Sequence, residues 1–109
     1  MIIHHLALES AWDAAQPAGA YAISTLGLAL AEVGFIHCSQ PEQVARVHER
    51  FYGAVTEPVL LLTIDTDLLT APWQLDDVPG EPLPFPHVYG PLNLDAVVSV
   101  EPFTASASS

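Results

Sequence analysis

Apolar and polar positions alternate along the chain in short runs, with no internal repeat and no linker that would divide it. Ile2, Ile3 and Leu6, with two histidines between them, predict a first strand buried on at least one face. Residues 9–16 (ESAWDAAQ) predict a short helix, acidic early and Ala-rich, ended by Pro17 and Gly19. Tyr21 to Ile23 reads as a short strand and Thr25 to Val33 as a loose helix or covering loop. Phe35 to Cys38 reads as a strand by its aromatic and branched content. Ser39-Gln40-Pro41-Glu42 has the pattern of a capping box with Ser39 as N-cap, which opens a helix over residues 40–52. Val44, Val47 and Phe51 form its apolar stripe, and Gly53 its stop. Val59 to Ile64 (VLLLTI) predicts a strand buried on both faces. Residues 65–82 read as loop with a short strand at 73–75. Val88 and Tyr89 form a strand that neighbouring prolines confine to an edge or an end, and Ala96 to Val100 closes the domain. This order is not a regular βα alternation. It predicts a single α+β domain over residues 1–103, with a mixed or mostly antiparallel sheet and two or three helices. The small polar tail, residues 104–109, is expected to fray.

Charge changes the picture more than apolar content does. Half of the 109 residues are hydrophobic, enough for one core, yet the formal charge is −11 and the only cations besides histidine are Arg46 and Arg50. Nucleic acid and anionic membrane surfaces are thereby excluded as partners, since both are held by clustered Lys and Arg. Arg46 and Arg50 lie four residues apart on the predicted helix and are expected to pair with Glu42 and Glu49 or other surface acids, and not to clamp a pyrophosphate. No apolar run approaches the ~20 residues of a membrane span, and the N-terminus lacks the basic region of a signal peptide. The single cysteine, Cys38, permits no internal disulfide, and a cytoplasmic location is expected.

Histidine is the anomaly of the composition. His4, His5, His37 and His87 fall in strand-like segments, and His48 on the helix beside Val47. Strand alternation prevents His4 and His5 from facing one site, while His37 shares a face with Ser39, and His87 with Tyr89. Residues 34–39 (GFIHCS) lead from a strand to a helix N-terminus, where free N–H groups favour an anion. Residues 86–91 (PHVYGP) bracket His87, Tyr89 and Gly90 with rigid turns. A histidine-lined cleft of this kind predicts ligand binding that varies between about pH 5 and 7. Zinc is the competing reading, with His5, His37, His87 and Cys38 as ligand types, although no close-spaced pair such as CxxC is present. Cys38 points away from His37 by alternation and reads as a small buried hydrophobe.

These motifs resemble a known family. Ile3-His4-His5-Leu6 with Trp12, Val33 to Ser39 (VGFIHCS), Phe51-Tyr52 and Glu81 to Leu92 (EPLPFPHVYGPL) are similar to the bacterial "domain of unknown function 952" family over nearly the whole chain. The resemblance implies a split α+β fold like that of ADP-ribosyltransferases, built around a nicotinamide dinucleotide cleft. It implies a role for His5 at the nicotinamide-side ribose, with Ser24 or Ser39 in support. His37, His87 and Tyr89 follow as site residues, and Glu81 is the candidate carboxylate. The expected function is accordingly that of an ADP-ribosyltransferase-like enzyme with catalytic residues His5, His37, His87 and Glu81. Ser24, Ser39, Tyr89 and Gly90 would contact a nucleotide-like ligand, with NAD as substrate and no metal. A non-catalytic module that binds a small ligand or a protein in the same cleft is the alternative.

Overall fold

The computed structural model describes residues 1–25 and 28–103; the expected tail at 104–109 and part of the segment from Thr25 to Val33 lie outside the described residues. In chain order the elements are β1 (Ile2–Leu8), α1 (Glu9–Ala18), β2 (Ala20–Tyr21), β3 (Ile23–Thr25), β4 (Leu28–Ala29), α2 (Leu30–Val33), β5 (Ile36–His37), α3 (Val44–Val47), β6 (Val59–Asp65), β7 (Trp73–Asp76), β8 (Phe85–Val88), β9 (Leu92–Asn93) and β10 (Val97–Pro102). The architecture is α+β, and every strand pairing among the described residues is antiparallel.

Two three-stranded sheets carry the structure, ordered β1-β6-β10 and β5-β8-β7. Among the described residues one isolated backbone bridge links them, where His4 and Ser39 exchange hydrogen bonds of 2.8 and 2.7 Å. β1 follows the expected alternation, with Ile3, His5 and Ala7 at 0%, 3% and 0% exposure. The central strand β6 is less buried than its apolar run suggests. Leu60, Leu62 and Ile64 are in the core, but Leu61 and Thr63 on the other face are half-buried. The larger core joins β1 and β6 to Tyr21, Ile36, Cys38 and Val88, while a smaller one gathers Leu6, Val44, Val47, Tyr52 and Phe85.

α1 runs two residues past its expected end, with Pro17 in its last turn and Gly19 closing it at φ 79°. Its N-terminus is capped from a distance, because the Glu57 carboxylate accepts from the Ser10 hydroxyl at 2.7 Å and from the Ser10 N–H at 3.3 Å. The predicted helix over residues 40–52 is three pieces: a 3-10 turn (Pro41–Gln43), the α-helical Val44–Val47, and a π turn (His48–Tyr52). Its cap is Gln40, whose N–H donates to Gln43 Oε1 at 2.8 Å, so Ser39 is free to bridge to His4. The π turn alters which residues face inward. Val44 and Val47 are buried as expected, but the wider turn buries Tyr52 and leaves Phe51 42% exposed. Tyr52 donates to the Leu6 carbonyl at 3.2 Å. Tyr52→Phe is therefore expected to cost about 1 kcal/mol, read as a shift in urea midpoint at constant slope.

The prolines do not confine β8 to an edge. It is the central strand of its sheet, and all four residues are buried. Pro86 faces Cys38, and the Cys38 N–H donates to the Pro86 carbonyl at 2.9 Å. The return bond is impossible because Pro86 has no N–H, which is a physical reason for β5 to end at His37. Ser39 then pairs with β1 instead. One missing donor thus helps to split the sheet.

Candidate functional site

His37 and His87 are paired across β5 and β8. The His37 backbone turns away from β8: its N–H donates to Ser24 Oγ at 3.2 Å, and its carbonyl accepts from His5 Nδ1 at 2.7 Å. The pair is therefore a non-hydrogen-bonded one, in which side chains come closest. His37 Nδ1 lies 3.2 Å from His87 Nε2. His87 Nδ1 lies 2.8 Å from Asp76 Oδ2 on β7.

Proton positions follow from the chemistry of the end groups. A carboxylate only accepts, so His87 carries its proton on Nδ1, and in a neutral ring Nε2 is then the acceptor. His37 must donate to it from Nδ1, which leaves His37 Nε2 as the basic nitrogen. The order Asp76–His87–His37 is a relay in which each group sets the tautomer of the next. Asp76 is held ionised: the Tyr89 hydroxyl bonded to Oδ2 lowers its pKa most, and Gln74 and His87 add to this against partial burial. Phe35 stacks on His87 with centroids 4.0 Å apart and planes at 18°, and shelters the middle of the relay.

The relay ends at a cavity of about 140 Å³ whose wall includes His37, Phe85, Phe51, Glu81, Arg46 and Arg50. The acid that the arginines pair with is neither Glu42 nor Glu49 but the mostly buried Glu81; Arg46 is 3.2 Å from it and Arg50 4.0 Å from the same oxygen. Arg46 reaches Glu81 from the α-helical piece, and Arg50 from the π turn that follows it. Arg50 also sits over the Phe51 ring at 5.5 Å. At the helix N-terminus, where an anion site was expected, several backbone donors are absent or already committed. Pro41 has no N–H, the Gln40 N–H is taken by Gln43, and the Gln43 N–H by the Gln40 carbonyl. The positive charge of the site is on the arginines instead.

The other predicted residues have separate places. His5 is 3% exposed, packs edge-on to Tyr21 at 5.4 Å, and holds the His37 peptide from behind. Ser24, 1% exposed, holds the same peptide from its N–H side. Ser39 bridges the two sheets through its backbone. Tyr89 is 39% exposed and closes the far end of the relay. Gly90 packs against the chain itself, for a Cβ there would lie 2.7 Å from the Ala71 Cβ. His48 packs beside Tyr52 and Phe103 and is half-buried. Cys38 is in the core, where burial pushes its thiol well above the ordinary range. Among the described residues no group of three His, Cys, Asp or Glu side chains is placed to hold a metal ion. No described helix is long and apolar enough to cross a membrane.

Burial also moves the expected pH window. His37 is pushed down to about 4, by burial first and then by the nearby His87 and His5, and burial pushes His5 to about 4 as well. Both are neutral through the range in which ordinary histidines titrate. Sequence reading had missed Asp76, Arg46, Arg50 and the aromatic covers Phe35 and Phe51. The one available signal was that Arg46 and Arg50 are the chain's only strong cations.

Three solved structures, all of the protein CC0527 from Caulobacter crescentus, are similar to this chain. Its crystal structure is 25% identical with a TM-score of 0.81, over 95% of this chain and 87% of that one. A methionine double mutant in crystal form is 24% identical with a TM-score of 0.80 over the same shares. The solution NMR structure is 26% identical with a TM-score of 0.70, over 92% and 82%. No curated protein matches. The family model described as "Protein of unknown function (DUF952)" matches residues 6–100, and the chain belongs to that family.

Proposed function

We propose that this cavity is an enzyme site in which His37 Nε2 exchanges a proton with a small anionic ligand, and that the ligand is of the ADP-ribose or NAD type. The observation that carries the reading is the Asp76–His87–His37 relay, which ends at a cavity that also holds Glu81 and two arginines. A neutral histidine whose tautomer is set by a carboxylate-linked partner is suited to accept a proton. Glu81 supplies the carboxylate that glycosyl transfer to or from a ribose needs. The ADP-ribosyltransferase-like fold that the motifs imply is part of this reading, and an α+β arrangement of two antiparallel three-stranded sheets is compatible with it. Sites for whole drug-sized ligands span about 300–1,000 Å³, so this cavity admits one end of a dinucleotide, and the rest lies over the rim. In this reading His5 and Ser24 position His37 and do not touch ligand.

Titration with ADP-ribose and NAD, followed by amide NMR, tests the reading. Shifts are expected at His37, Phe51 and residues 77–84, with release of nicotinamide from NAD on longer incubation. Spectra unchanged at millimolar ligand would sink it. The alternative, a non-catalytic binding module, is favoured by one contact: Glu81 is engaged by Arg46 at 3.2 Å and is not free to act as a base. Binding without turnover selects that alternative.

A further inference from the structure

The ion cluster on the cavity wall has an unusual division of exposure. The Arg46 and Arg50 side chains are 62% and 67% exposed, yet the Glu81 side chain between them is 9% exposed. The carboxylate has been drawn in, and the cations reach over it. Both guanidiniums address one oxygen, Glu81 Oε2, at 3.2 and 4.0 Å. Every other charged side chain apart from histidine is acidic, so no other place in the chain can offer two strong cations to an anion. Glu81 reaches this position from a turn in which its N–H donates to the Val78 carbonyl at 3.0 Å and Gly80 takes φ 85°. A loop so short presents its carboxylate at an effective concentration of about millimolar or above.

We propose that Glu81 is an internal stand-in for a ligand, and that the Arg46–Arg50 pair takes a phosphate group, which displaces the Glu81 carboxylate. Phosphate has the advantage in that exchange because a dianion with three acceptor oxygens satisfies two guanidinium forks better than a monoanionic carboxylate does. The cavity then selects ligands that carry a phosphate monoester or a pyrophosphate, with the adjoining ring against Phe51 and Phe85 and within reach of His37. This deepens the reading above and rests on it only in taking the cavity as a ligand site.

Inorganic phosphate is the probe, with acetate as the carboxylate control, both followed by amide NMR in the intact chain. Glu81→Gln is expected to bind phosphate about 10-fold tighter than wild type, because the competing carboxylate is gone. Glu49→Gln makes the same charge change at an exposed position of the same segment and should alter affinity by less than about 2-fold. Arg46→Gln with Arg50→Gln should abolish binding. In the wild-type chain, saturation with phosphate should move the amides of Arg46, Arg50 and residues 77–84 together, a readout that does not depend on any variant folding. Glu81→Gln binding no tighter than Glu49→Gln overturns the proposal, as do arginine shifts with residues 77–84 unmoved. Acetate bound as tightly as phosphate overturns the choice of phosphate. If phosphate binds as described and ADP-ribose does not, the nucleotide reading fails and the displacement stands. If ADP-ribose binds with Glu81 unmoved, the reverse holds.

Discussion

Between pH 6.5 and about 4 the folded chain is expected to lose about 3 kcal/mol of stability through His5 alone. His5 is 3% exposed, and its Nδ1–H is committed to the His37 carbonyl at 2.7 Å. Burial pushes its pKa from 6.5 down to about 4, against the raising effect of backbone hydrogen bonds to His37 and Ile23. Above pH 6.5 the ring is neutral in both folded and unfolded chains, and nothing is lost. As pH falls below 6.5, the unfolded chain takes up a proton that the folded chain refuses, so stability drops by up to about 1.4 kcal/mol per pH unit. The loss is complete below about 4, where both states are protonated. His37 titrates in the same direction and adds a smaller share, because its ring is only half-buried. Urea unfolding at several pH values between 7 and 4.5 measures this. His5→Gln keeps a donor for the His37 carbonyl but does not titrate, so its stability curve should be flatter than the wild-type curve across the window. Parallel curves would show that His5 is not held neutral by the fold.

Asp76→Asn should have the largest functional effect. Asp76 takes hydrogen bonds from His87, Gln74 and Tyr89, and its charge fixes the proton on His87 Nδ1. With Asn there, the amide can donate to His87 as readily as accept from it. The order of donors along His87 and His37 is then no longer set. If His37 is the proton acceptor proposed above, turnover falls by roughly 10²–10⁴-fold, the range for losing a positioned acid or base. A second readout does not need turnover: ring nitrogen shifts of His37 and His87 should change from one defined tautomer each to a mixture. Asp77→Asn, at the exposed neighbouring carboxylate, should leave both rings unchanged. Tautomers that survive in Asp76→Asn would mean that Asp76 does not organise the relay.

Much of the fold was legible because local rules reach far in this chain. Alternation in β1 separated His4 from His5, and alternation in β5 put His37 on the face opposite Cys38. The GFIHCS and PHVYGP segments became the β5–β8 pair on which His37 and His87 meet. What alternation could not supply was distance between segments. His5 sits behind the site and not in it, because its ring meets His37 through a carbonyl and packs on Tyr21. Asp76 was unreadable for a similar reason: its role depends on the β7–β8 register, which places it opposite Phe85 and within reach of His87.

The arginines show the same division. That Arg46 and Arg50 are the only strong cations is a matter of composition, but the sequence pointed to backbone N–H groups and histidines, not to the arginines, for an anionic ligand. Which partner they have was decided by tertiary structure. A regular helix keeps side-chain pairs three or four residues apart in contact, and that favours Glu42 and Glu49. The π turn breaks this spacing and buries Tyr52 in place of Phe51, and the packing of the β7–β8 loop against this segment brings both arginines a carboxylate more than thirty residues further along the chain. Periodicity and capping are properties of neighbours in sequence, so the sequence determined the strands, the motifs and the family. Side-chain convergence depends on how separate segments pack, so only the fold determined that His37, Glu81 and both arginines share one cavity.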